Sequence, residues 1–331
     1  MDCPTAIRRG TPRQSRDVPG TPPMMYLREP LLRCRNAALA PQRRRRLDRM
    51  NARAEAPLCV LFYHRVADTC PNGWTISRRD FARHVDHCRR HFELVGLDEV
   101  QRRVRENHSP RLTVTFTFDD GYAENCDFAL PLLARHAIPT VYFVATGHVL
   151  RQRPFPHDVR ARRPLPVNTP AELREWADRG IEIGLHTRNH ADFSVVRKPR
   201  DIHREVVAAK HELESLIGRP VRYFAVPYGL PEHVTQAVVD ATIEAGLCGF
   251  CTAYGAYNLP GRDAFHLRRI HGDPGFARLE NWLQFDPRKL RREPNVAYVG
   301  PADSARPNPS TQKAKGQLPH DITLPPGGWC F

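Results

Sequence analysis

The sequence has little of what would place it in several common classes. No run approaches the ~20 apolar residues that span a bilayer, so no transmembrane segment is expected. Arg8, Arg9, Arg13 and Arg16 are followed by no apolar stretch, so no secretory leader is expected either. A disulfide framework is also missing. The nine cysteines are odd in number and scattered, which suits reduced thiols in a reducing compartment. The default expectation is therefore a cytoplasmic location, with envelope association or a misassigned start as the alternatives. Cys248-x-x-Cys251 has no second pair, and its neighbours Leu247 and Phe250 suit a buried strand better than a zinc or redox centre. There is no internal repeat.

What is present is a chain of 331 residues, enough for one large domain or two small ones with a core that needs no staples. The net charge of +14 is unevenly placed. Residues 1–56 hold 13 Arg against 5 acids, and residues 286–331 hold 7 basic against 4 acidic residues. That leaves only +3 for residues 57–285. Arg43-Arg44-Arg45-Arg46 is thus read as part of a solvated basic tail rather than a contact for an anionic polymer or a membrane. The near-neutral middle, without a nucleic-acid module, counts against a nucleic-acid partner, and none is expected. Both ends are rich in Pro or Arg and lack periodicity, so disorder is expected over 1–56 and 286–331, flanking one folded domain at 57–285.

Within that domain short apolar runs alternate with helical patterns. Leu58–Tyr63, Leu112–Phe118, Pro139–Thr146, Ile181–Leu185, Val221–Val226, Leu247–Thr252 and Phe265–Ile270 are apolar on both faces, as buried parallel strands are. Phe81, Val85, Cys88 and Phe92 mark one helical stripe, and Ile202, Val206, Ala209, Leu213 and Leu216 another, closed by Gly218. Thr169-Pro170-Ala171-Glu172 reads as a capping box, and a further helix is expected from Pro231 to Ala245. Seven strands alternating with helices predict a parallel α/β sheet, open or closed into a barrel.

Most strand runs end on a polar or special residue: His64, Asp119-Asp120-Gly121, Thr146-Gly147-His148, His186, and Pro227-Tyr228-Gly229. In a parallel fold these ends lie on one side, where sites are built. Adjacent strand residues face opposite ways, so Asp119 and Asp120 share a site only if the strand breaks, which Gly121 permits. His186-Thr187-Arg188-Asn189-His190 spaces two imidazoles by four residues but lacks the Glu of a zincin helix, so a loop or single turn is expected. Two imidazoles and one carboxylate make a three-ligand set that leaves a position open for water.

Thr117-Phe118-Asp119-Asp120-Gly121, His186-Thr187-Arg188-Asn189-His190 and Phe224-Ala225-Val226-Pro227-Tyr228-Gly229 resemble, in order, the first three motifs of the NodB-homology polysaccharide deacetylases, carbohydrate esterase family four. Phe62-Tyr63-His64-Arg65-Val66 resembles the opening of a branch that includes deacetylases of poly-N-acetylglucosamine and related exopolysaccharides. The resemblance covers about residues 57–275. It implies a distorted (β/α) barrel of about seven or eight strands and a metal-dependent hydrolase acting on N-acetyl groups of a glycan. Asp119 would be the general base, and Asp120, His186 and His190 would hold a divalent metal, zinc first, with cobalt, manganese or iron as alternatives. The Tyr228 backbone N–H would help form the oxyanion hole.

The chain departs from the pattern in three places. Where many members carry an Arg that orients the base stands Ala225, and Arg222, three residues earlier, is the nearest replacement. The aromatic fourth motif is not recognisable. His271 is the candidate general acid, without its usual Leu-x-His context. His64, Pro227 and Arg222 are assigned to substrate binding or to shaping the site, and Tyr254 and Tyr257 are possible sugar-stacking rings. Competing functions are an O-acetyl esterase or non-sugar amidase on the same scaffold, or a non-catalytic carbohydrate-binding relative.

Overall fold

The computed structural model describes residues 24–301 except 273, 274, 292 and 295. Its strands are β1 (Leu58–Tyr63), β2 (Arg65–Val66), β3 (Thr75–Ile76), β4 (Glu93–Leu94), β5 (Thr113–Phe118), β6 (Thr140–Val144), β7 (Glu182–Leu185), β8 (Tyr223–Ala225), β9 (Gly249–Cys251), β10 (His266–Leu267) and β11 (Ile270–His271). Nine form one sheet in the order β10-β9-β8-β7-β6-β5-β1-β11, with β4 also beside β5, while β2 and β3 pair separately. Every pairing is parallel. The six residues of β1 and the six of β5 are all buried, as strands covered on both faces must be.

The expected strand Phe265–Ile270 is divided, and the division brings the two ends of the sheet near each other. Its first half, β10, pairs with β9 at one end of the sheet, and its second half, β11, pairs with β1 at the other. Only Arg268 and Arg269 separate them. Three Cα steps span at most about 11 Å, so the sheet curls until its ends meet. Leu58, Val60, Val141, Phe143, Ala225, Cys251 and Leu267 form the inner core. The Leu97–Arg105 helix plugs the end where the strands begin, with Gln101 donating to the carbonyls of Cys248 and Ala264, at 2.8 Å each. Alternate residues Cys59, Leu61 and Tyr63 lie in the larger outer core.

The helix signals hold. Ser77 caps Arg78–His91, whose Phe81, Val85 and Cys88 are buried. Thr169 and Glu172 form the capping box of Pro170–Asp178. The 202–216 stripe runs through Pro199–Ile217 with one π turn at Arg204–Ala208, and Gly218 at φ +68° ends it. The segment expected as one helix from Pro231 to Ala245 is instead a 3-10 turn, Pro231–His233, followed by Gln236–Glu244, which Thr235 caps.

Both expected disordered ends need correction. Met24–Ala52 is a helix despite Pro30 and Pro41. It docks on the Phe276–Leu283 helix: Asn36 Nδ2 donates to the Ala277 carbonyl at 2.8 Å, and Arg43 Nη2 to Asn281 Oδ1 at 3.0 Å. Arg35 reaches Asp286 at 3.0 Å. At the other end the Tyr298 ring packs on Phe250, and the Val299 amide donates to Gln236 Oε1 at 2.8 Å. Residues 1–23 and 302–331 lie outside the described residues. Among the described residues no helix is long and apolar enough to cross a membrane. The seven described cysteines form no disulfide, and Cys251 is buried in β9 while Cys248 is exposed.

Candidate active site

The site grows from the end of β5. The Asp119 amide still donates to the Tyr63 carbonyl at 2.9 Å, extending the ladder by one residue. Asp120 then turns to φ +76° and Gly121 to φ +86°. A left-handed residue other than glycine is costly and persists where its surroundings demand it. Here it breaks the alternation and leaves both carboxylates buried, each 3 % exposed.

Facing them is the loop after β7. His186 Nδ1 lies 2.8 Å from the Ala225 carbonyl. A carbonyl only accepts, so that nitrogen carries the proton and Nε2 presents its lone pair. Thr187 and His190 both have positive φ, and Thr187 Oγ1 accepts the Ala191 amide at 3.0 Å, so the segment is the tight loop expected rather than a helix. Buried Glu205, in the π turn, clamps it by accepting from the Asn189 amide at 2.7 Å and Asn189 Nδ2 at 2.6 Å. The Gly147 amide donates to the Arg188 carbonyl at 2.6 Å, and a Cβ at Gly147 would stand 2.6 Å from that same oxygen.

The result is a compact trio. His190 Nε2 lies 3.3 Å and His186 Nε2 3.5 Å from Asp120 Oδ1. The ligand atoms of all three residues fall within 4.8 Å of one another. Asp120 Oδ1 is buried without a hydrogen-bond partner. An enclosed carboxylate oxygen facing two imidazole nitrogens is an environment that a divalent cation satisfies. Burial pushes the Asp120 carboxyl up, but the two histidines outweigh it and hold the group well below the usual range.

Asp119 is held differently. Its two oxygens accept from Arg269 Nη1 at 2.7 Å and Nη2 at 2.8 Å, a bidentate pair. Arg269 is itself buried, donates through Nε to the Thr252 carbonyl at 3.0 Å, and lies over the Phe62 ring at 4.6 Å and the Phe143 ring at 5.5 Å. Burial raises the Asp119 carboxyl, yet Arg269 and then His186 bring it below its ordinary value. Ala225 occupies the same inner core as Phe143 and Cys251, so the guanidinium reaches the acid from the barrel-closing segment rather than from the end of β8.

The other expected site residues divide. His271 is in register with Phe62, and its ring lies 5.0 Å from that of Phe62 and 6.0 Å from that of His64. Burial pushes His64 down to about 4, with Asp120 and Asp119 offsetting only part of that, so it is neutral at neutral pH. Pro227 is buried beside Tyr228, which has φ +59° and a ring 5.0 Å from that of His190. Arg222 does not join them. It precedes β8 and pairs with Glu182 at 2.9 Å and Asp98 at 3.6 Å, at the opposite end of the barrel. Tyr254 and Tyr257 are 9 % and 0 % exposed, too enclosed to stack on a sugar. Arg269 escaped the sequence reading. Its signal is two arginines inside an otherwise apolar run, where an unpaired charge is rare.

A curled parallel α/β sheet with its polar residues gathered at the strand C-termini has the architecture of the barrels in which sites are built at that end. Residues 106–247 match the family model described as polysaccharide deacetylase. It is 22% identical over 227 residues to "Putative polysaccharide deacetylase YxkH" of Bacillus subtilis (strain 168), covering 67% of this chain and 74% of that one. The structure of IcaB from Ammonifex degensii superposes with a TM-score of 0.61 at 27% identity, over 70% of this chain and 98% of that one. Streptococcus pyogenes deacetylase PplD shares the fold at 18% identity and a TM-score of 0.59, over 70% and 100% of the two chains.

Proposed function

We propose that the protein is a metal-dependent hydrolase that removes N-acetyl groups from an N-acetylhexosamine-containing polysaccharide or glycan precursor. The observation that carries this is the Asp120–His186–His190 trio beside an arginine-held, buried Asp119. Asp120, His186 and His190 would hold one divalent cation, zinc first and cobalt, manganese or iron next. When bound, such a cation polarises the acyl carbonyl and acidifies water. Asp119, outside the ligand trio and kept anionic, accepts the proton of the attacking water. The Tyr228 backbone N–H donates to the oxygen on which charge develops. An amine is a poor leaving group until protonated, and His271, beside His64 at the rim, supplies that proton. This need for an acid favours the amide over an ester as the substrate bond.

The test is elemental analysis of the full chain together with acetate release from N-acetylglucosamine oligomers. About one divalent ion per chain is expected in the wild type, lost in Asp120→Ala and His186→Ala and kept in Asp119→Asn, with acetate release abolished in all three. A protein that takes up no zinc, cobalt or manganese on reconstitution overturns the proposal. So does acetate release confined to O-acetylated glycans, which would make the enzyme an esterase.

A further inference from the structure

Trp74 is the one large aromatic side chain of the loop between β2 and β3, and it is 51% exposed. An indole offers the largest aromatic face of any side chain, apolar in body with a polar N–H at its edge. The loop is also rigid. The Trp74 amide donates to Asn72 Oδ1 at 3.0 Å, and the Trp74 carbonyl accepts from the Arg65 amide at 3.4 Å. Fully buried Arg65 donates to the Cys70 carbonyl at 2.9 Å and to Thr75 Oγ1 at 3.0 Å. Its Nε also donates to Glu124 Oε2 at 2.8 Å, which ties the loop to the segment just after Asp119 and Asp120. The indole therefore stands at a fixed place. Its centroid is 5.1 Å from the His64 ring and 6.5 Å, edge-on, from the His271 ring. Trp74 is thus one ring beyond the rim histidines. The exposed Tyr228 ring stands at the His190 edge, in the turn after β8, which lies on the other side of β5 from β1 in the sheet order.

We infer that Trp74 is a stacking platform for a pyranose ring of the substrate chain, next to the sugar whose acetyl group meets Asp119. This rests on the site being that of a glycan deacetylase. An indole face matches the C–H face of a pyranose and leaves the sugar hydroxyls in water. The platform makes the enzyme prefer oligomers over single sugars.

The experiment has two readouts. In full-length Asp119→Asn protein, N-acetylglucosamine pentamer is expected to change tryptophan fluorescence, and the monomer is not. Adding Trp74→Phe is expected to remove that signal, whereas replacing any of the other three tryptophans, Trp176, Trp282 or Trp329, by Phe leaves it. In otherwise wild-type protein, Trp74→Ala is expected to raise KM for the pentamer about tenfold, with the loss growing with chain length and Trp74→Phe restoring part of it. An equal effect on monomer and pentamer, or a fluorescence change that survives Trp74→Phe, overturns the platform while leaving deacetylation intact. A Trp74-dependent signal without acetate release from any oligomer keeps the platform and overturns the proposed reaction.

Discussion

Arg269 sets the state of Asp119, because among the described residues it is the cation that contacts both carboxylate oxygens. Replacing it with Met leaves a buried carboxylate without its partner, at a cost of about 3–5 kcal/mol, to be read as a shift in the urea midpoint. Arg269→Lys keeps the charge but cannot form the fork, so kcat/KM is expected to fall roughly 100-fold, the scale of a misplaced reacting group, while metal content stays at the wild-type level. Asp119, Asp120 and His186 were legible because each follows directly on a strand, and His190 because it shares a motif with His186. Arg269 was not, because it meets Asp119 across 150 residues and no local pattern encodes that contact. Arg222 was misassigned for the converse reason: nearness in sequence to Ala225 put it on the right strand at the wrong end.

Among the elements, the His186–His190 loop depends on a close approach. Gly147→Ala would push its Cβ against the Arg188 carbonyl. The expected outcome is a loss of bound metal in elemental analysis, with the far-ultraviolet circular dichroism of the barrel retained. The Met24–Ala52 helix depends on charge. Its anchor Asp286 is held at about 2, first by hydrogen bonding to Arg288, against burial, and further by Arg288 and Arg43. A depressed carboxylate adds stability that is fully present above its unfolded value, ~3.9, and lost as pH falls through the folded one. Hydrogen exchange along residues 29–52 is therefore expected to quicken between about pH 4 and pH 2, and Asp286→Asn to quicken it at neutral pH. Exchange in Asp286→Asn that matches the wild type at both pH values would show that the helix is held otherwise. Capped helices such as Pro170–Asp178 were plain in the sequence, since caps are local. This helix was hidden because Asn36 and Arg43 bind through hydrogen bonds and leave no apolar stripe to read.

For the whole molecule, alternating buried runs and helical stripes sufficed to predict a parallel α/β sheet, and the family resemblance supplied the barrel. The way it closes was out of reach, because Phe265–Ile270 looks like one strand and only the meeting of both sheet edges divides it. The docked helix also moves the edge of the folded unit. A fragment beginning at residue 57 would strip Arg43 from Asn281, Arg35 from Asp286 and Asn36 from the Ala277 carbonyl, leaving Asp286 with Arg288 alone. It is expected to melt several degrees below the full chain in calorimetry, and equal melting temperatures would mean that the helix adds nothing to the barrel.

The two residues between β10 and β11 also set a timetable. Arg268 pairs with Glu293 while Arg269, its neighbour, pairs with Asp119, so one short step of chain serves both the rim of the barrel and its centre. On a ribosome the first five strands of the sheet and all three members of the trio emerge well before Arg269 does. Until it arrives, Asp119 has no guanidinium to hold it. The growing polypeptide can thus bring Asp120, His186 and His190 together early, yet the Asp119 carboxylate gains its partner only when the last seam of the barrel is drawn shut.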